Sequence, residues 1–128
     1  MATIVMLAAS GCSLGGDEEP KPASGVAAQI AATVDRLERA VAERDYATVC
    51  DQLFTATARR RAGGDECARQ LRSAAEGVER PRIEIEAIDV KNDRATARVR
   101  TEAEGQARVS DELQLRREGD RWLIEALS

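Results

Sequence analysis

Histidine is absent from this sequence of 128 residues, which removes the commonest general base and the commonest metal ligand together. Chemistry would have to come from Asp, Glu, Tyr, Arg or Cys. One acidic residue breaks its local pattern. Along the alternating stretch Val109-Ser110-Asp111-Glu112-Leu113, Asp111 falls on the parity of the apolar residues. A carboxylate held there could act as a base or accept a hydrogen bond from a ligand. Tyr46 opens an apolar helical pattern and could bring a phenol to the same cavity. Against that reading, a bulge near Ser110-Asp111 would turn the carboxylate outward, or an inward Arg would pair with it. The remaining candidates are three cysteines, Cys12, Cys50 and Cys67, which lack the Cys-x-x-Cys spacing of a redox pair. No cofactor and no metal are expected.

The elements that would position these residues must come from an unusual composition. Charged residues make up 33% and hydrophobic ones 43%, the balance of a globular chain long enough for one domain. Aromatic residues are only 2%, so the core is built from Ala, Val, Ile and Leu. Such a core buries less apolar area per residue and would profit from a covalent aid. A net charge of −4 and a pI near 5.0 leave no electrostatic footprint for nucleic acid. Lys occurs only at positions 21 and 91, an Arg bias that a GC-rich genome produces.

The N-terminal stretch reads as an address. Thr3 to Ala9 is an apolar run far shorter than the ~20 residues of a membrane-spanning helix, and Leu7-Ala8-Ala9-Ser10-Gly11-Cys12 resembles the lipobox of bacterial lipoproteins. That resemblance implies a signal peptide over residues 1–12, lipidation of Cys12 and anchoring by more than one acyl chain. Ala9 stands where a larger aliphatic residue is usual. No Lys or Arg precedes the run, so either the true start lies upstream of Met1 or this is not a working signal; the other alternative is an apolar strand with a buried Cys. Residues 13–25 are Gly, Asp, Glu, Pro, Lys and Ser with little apolar content, a solvated tether.

Periodicity predicts three helices next. Val26, Ile30, Val34, Leu37 and Val41 make one apolar face, with Ser24 as N-cap. Asp45 caps a second helix carrying Tyr46, Val49, Cys50, Leu53 and Phe54, which runs to Arg59-Arg60-Arg61. The triple Arg is either a solvated helix end or a patch for phosphate or anionic lipid. Asp65 caps a third helix with Cys67 and Leu71 inward, ending at Gly77. Cys50 and Cys67 thus fall on apolar faces of adjacent helices, and in an exported protein they form a disulfide worth about 3 kcal/mol by chain entropy.

From Arg82 to Leu127 the pattern turns to alternation. Ile83 and Ile85 are followed out of phase by Ile88 and Val90, which predicts a bulge near Glu86-Ala87. Turns are expected at Asn92-Asp93, Glu104-Gly105 and Gly119-Asp120. Ala95, Ala97, Val99, Ala107, Val109, Leu113 and Leu115 face inward, as do Trp122 and Ile124. The outer face is a lattice of Glu and Arg, a solvated surface that disfavours pairing and argues for a monomer.

Three helices followed by a strongly bent four-stranded antiparallel sheet, closing on Asp120-Arg121-Trp122-Leu123-Ile124, resemble the nuclear transport factor 2-like superfamily; Ala42 to Cys50 is also similar to its helix-start pattern. With the lipobox and paired Cys, residues 26–127 look like the domain of a small actinobacterial lipoprotein of that class. The resemblance implies an α+β cone whose mouth holds a small apolar ligand, with Tyr46, Phe54, Asp111 and Trp122 as pocket residues. Two functions follow as expectations. One is a non-catalytic domain, lipid-anchored on the extracytoplasmic face of the cell membrane, that binds a small ligand or an envelope protein. The other is an isomerase or cyclase using Asp111 with Tyr46, which requires both to open onto one pocket.

Overall fold

A computed structural model describes residues 25–128. Cys12, the apolar run before it and Ser24 lie outside the described residues. Helix α1 spans Val26–Ala42 and buries Ile30 and Val34, the face its spacing sets out. Gly25, at φ 66°, takes the cap position. The helix stops at Arg44, whose positive φ of 59° lets the Asp45 N–H reach back to the Ala40 carbonyl at 2.8 Å. Asp45 then caps α2 (Tyr46–Thr48), accepting from the Thr48 backbone N–H and hydroxyl.

The second helix is not continuous. After α2 the chain widens into a π turn over Val49–Leu53, and Phe54 is extended, at φ −91° and ψ 147°. The cause is tertiary. Phe54 pairs in parallel with Ile124, and the Thr55 N–H bonds the Ile124 carbonyl at 3.0 Å. Helix α3 (Ala56–Arg61) restarts under a Thr55 cap, whose hydroxyl accepts from the Ala58 N–H at 3.1 Å. Asp65 does not cap the next helix; it lies in a 3₁₀ turn over Gly64–Glu66 that leads directly into α4 (Cys67–Ala74). Cys50 and Cys67 are joined by a disulfide, Cα to Cα 6.1 Å, tying the π turn to the start of α4.

Strands β1 (Arg82–Lys91), β2 (Arg94–Glu102), β3 (Val109–Glu118) and β4 (Arg121–Leu127) form one antiparallel sheet in chain order. The register between β1 and β2 slips between Ile85 and Ala87, leaving Glu86 as the bulged residue, which pairs with Arg100 at 3.0 Å. Asn92, at φ 55°, and Asp93 make the two-residue turn. Gly119, at φ 62°, and Asp120 make the last one, which the Glu118–Arg121 pair closes. Between β2 and β3 the loop is longer than expected: Ala107 lies in it and is exposed, and Val109, though on the inward parity, is 51% exposed at the edge of a shallow depression that Val41, Val78 and Ile83 also line.

α1 packs on the inner face against β1 and β4, and its Ile30 and Val34 share one core cluster with Ala95, Ala97 and Val99 of β2. The Thr33 hydroxyl donates to the Trp122 carbonyl at 2.8 Å, a buried bond that pins the helix to β4. No helix among the described residues is long and apolar enough to cross a membrane.

Candidate functional site

Helices α1, α3 and α4 do not close over the far end of the inner face. They leave an open cleft of about 780 Å³, within the range of small-molecule sites. Its floor is Leu113 and Ile124 of the sheet with Val49 of the π turn, all buried. Leu37 and Val41 from α1 form one wall, and Ala58 and Ala62 from the α3 segment another. Leu71, Ala74 and Ala75 of the α4 segment, with Val78 beyond it, form the third. The disulfide holds this third wall in place, since Cys67 is the one residue of α4 that is fully buried.

Of the four residues expected in the pocket, two line this cleft and two do not. Tyr46 presents its ring from the first turn of α2, and Phe54 enters because the helix breaks there. Trp122 is 2% exposed and sealed in the core under α1. Asp111 is half-buried and faces Val99 across the β2–β3 pair, on the inward parity, but it does not line the cleft. The carboxylate and the phenol therefore do not open onto one cavity. The register through Ser110–Asp111 is unbroken, so no bulge turns that residue outward; Leu113, the next inward position, lines the cleft and Asp111 does not.

Two lining residues escape a reading of the sequence. Glu125 is the extra residue of a second bulge: Leu115 pairs with Ile124 and Gln114 with Ala126, leaving it unmatched. It lines both this cleft and a second depression on the sheet, and one of its carboxylate oxygens is out of contact with solvent and has no hydrogen-bond partner among the described residues. Arg61 is the other. It ends α3, is exposed and lines the cleft, as does Leu127, itself 64% exposed. These two are the charged residues of a lining that is otherwise apolar apart from the Tyr46 and Thr101 hydroxyls.

The second depression, of about 530 Å³, lies over the β1–β2 turn and is lined by solvated groups such as Asp89, Lys91, Arg94 and Arg116. No group of three or more acidic or cysteine side chains is arranged to hold a metal ion among the described residues.

A family model described as "Putative lumazine-binding" matches residues 26–126. No curated protein matches. Among solved structures the chain is similar to an NTF2-like protein of unknown function from Silicibacter pomeroyi, with a TM-score of 0.60 and 19% identity over 79% of this chain and 91% of that one. It is also similar to an NTF2-like protein of unknown function from Shewanella baltica, with a TM-score of 0.51 and 14% identity over 83% and 98% of the two chains. A de novo designed NTF2-fold protein superposes with a TM-score of 0.52 at 15% identity, over 76% and 82%. At these identities the likeness is one of fold.

Proposed function

The chain belongs to the lumazine-binding-like family, with the NTF2-like cone fold, and from that premise we propose that it is a binding domain for a small, largely apolar ligand held in the cleft between the helices and the end of the sheet. One observation carries the reading: a cleft of about 780 Å³ whose lining is apolar except at Arg61, Glu125 and the Tyr46 and Thr101 hydroxyls. The alternative use of such a cone, isomerase or cyclase chemistry, needs a carboxylate and a phenol on one cavity. Asp111 and Tyr46 are split between the cleft and the sheet beside it.

The family description names lumazine, a polar nitrogen heterocycle. The walls of this cleft offer few partners for its hydrogen-bonding edges, which favours an apolar occupant. An environment-sensitive dye such as anilinonaphthalene sulfonate, titrated into the full chain, tests the site. The dye should brighten on binding, and Ala75→Trp, which fills the cleft from the α4 side, should abolish the signal without altering the far-UV circular dichroism. Dye binding that Ala75→Trp leaves untouched would place the ligand elsewhere. Stoichiometric displacement by lumazine would replace the apolar occupant with the polar one.

The proposed setting is the extracytoplasmic face of a membrane, reached through a lipid on Cys12, with the acidic, Gly-containing segment after it as a tether. What supports this is the sequence Leu7 to Cys12 together with a disulfide that suits an oxidising compartment. Expressed in a bacterium with its own lipoprotein machinery, the chain should partition with membranes and Cys12→Ala should release it to the soluble fraction. Equal partition of the two forms would sink the anchor.

A further inference from the structure

We propose that the occupant of the cleft is a long-chain aliphatic acid, with its hydrocarbon tail along the aliphatic walls and its carboxylate on Arg61. The inference rests on the reading of the cleft as a ligand site and names the class of ligand.

The shape of the lining comes first. Three walls and the floor are Val, Leu, Ile and Ala side chains contributed by α1, the π turn, α3, the α4 segment, β3 and β4, with Tyr46 and Phe54 as the two rings. Such a surface offers methyl and methylene contacts along its length, the complement of a flexible chain. A flat heterocycle would need donors and acceptors at its edges, and the floor supplies none: Val49, Leu113 and Ile124 are apolar.

Charge then sets the direction. In the run Arg59-Arg60-Arg61, the first guanidinium pairs with Asp51 at 3.3 Å and the second bonds the Thr57 hydroxyl at 3.4 Å. Arg61 has neither an ion pair nor a hydrogen bond from its side chain among the described residues, and it is the one of the three that lines the cleft. A cation at a helix C-terminus is already favoured by the exposed carbonyls there. That accounts for a run of Arg, but not for one of them lining an apolar cleft. Glu125 is the other charge of the lining and has the opposite sign. Its carboxylate is half-buried with one oxygen cut off from solvent, so an anionic head placed beside it would be repelled, whereas one beside Arg61 is attracted. A molecule with a negative group at one end and hydrocarbon beyond it pairs with Arg61 and keeps its own charge away from Glu125 in one orientation. Leu127, which also lines the cleft and is 64% exposed, then gains cover from the hydrocarbon.

Titration calorimetry on the full chain, below the critical micelle concentration, provides the test. The probes are decanoate, dodecanoate and tetradecanoate, with 1-dodecanol and dodecylamine as head-group controls. Each added methylene should tighten binding by about two- to fourfold. Dodecanoate should bind about fivefold more tightly than dodecanol at low ionic strength. Arg61→Gln should remove that difference while leaving dodecanol unchanged, and Arg61→Lys should restore most of it. A preference for dodecylamine, an affinity independent of chain length, or a carboxylate advantage that survives Arg61→Gln would each overturn the assignment. If anilinonaphthalene sulfonate binds in the cleft but the acids do not displace it, the ligand class is wrong and the cleft remains a site. If neither the dye nor any chain binds, both readings fall together.

Discussion

Asp45 shows how much one side chain does at the junction of two helices. It receives the Thr48 hydroxyl at 2.6 Å and the Thr48 backbone N–H at 3.2 Å, and these bonds, the hydroxyl's foremost, hold its carboxyl below the ordinary carboxylate range. A carboxyl whose folded pKa is depressed contributes stability that is fully present above its unfolded value, about 3.9 for Asp, and is lost as the pH falls through the lower folded value. Asp45→Ala should therefore lower the urea midpoint at neutral pH, and the gap between variant and parent should close as the solution is acidified through that window. Urea melts at a series of pH values measure it; a gap that stays constant would mean that the charge of Asp45 contributes nothing. This cap was legible in the sequence, because an acidic residue before an apolar helical pattern has a local cause. Glu125 was not. Only Ala126 and Leu127 of β4 follow its bulge, too few to show a change of phase, and simple parity puts its side chain away from Ile124.

The same contrast runs through whole elements. The bulge at Glu86 and the turn at Asn92-Asp93 are written in the sequence as a phase change and a turn dipeptide, since strand register depends on which face each residue buries. The break at Phe54 is not written there. Tyr46, Val49, Cys50, Leu53 and Phe54 keep helical spacing throughout, and no Gly or Pro intervenes. What stops the helix is a backbone pair with Ile124, a residue 70 positions away, and that pair exists only once the sheet has formed. The consequence for the site is direct, because the break sends Phe54 into the cleft and restarts α3 at an angle that brings Ala58 and Arg61 with it. Thr55 secures the restart from a position 2% exposed, where water cannot replace its hydroxyl. Thr55→Val keeps the shape and removes the cap. It should cost about 1–2 kcal/mol in urea unfolding and weaken dye binding in the cleft as α3 frays. A neutral substitution would mean that the Thr55–Ile124 backbone bond alone fixes the restart.

At the scale of the whole molecule, stability and the site are divided between two unequal parts. The sheet, α1 and the π turn share the packed core, where Ile30, Val34, Leu53, Ala97, Val99 and Leu115 are almost fully withdrawn from water. α4 takes a smaller part in it. Leu71 is half-buried against that core, Ala74 is exposed, the helix packs on α2 and the π turn, and its one fully buried residue is Cys67, bonded to Cys50 across a separation of 17 residues. The disulfide thus adds for α4 to an apolar contact smaller than that of the other elements, as expected of a core so short of aromatic residues. Closing a loop of that length stabilises by about 3 kcal/mol in the chain-entropy account. Replacing both cysteines, Cys50→Ala with Cys67→Ala, should lower the unfolding free energy by about that amount. It should also act locally. Hydrogen exchange should rise across residues 67–78 while α1 and β2 keep their protection, and affinity for the dye should fall because one wall of the cleft is no longer held. Exchange that rises evenly across the sheet would contradict this division and make the disulfide a support of the entire core. Unchanged dye affinity in the double variant would mean that α4 is positioned by its own packing, and the cleft would then owe nothing to the covalent link.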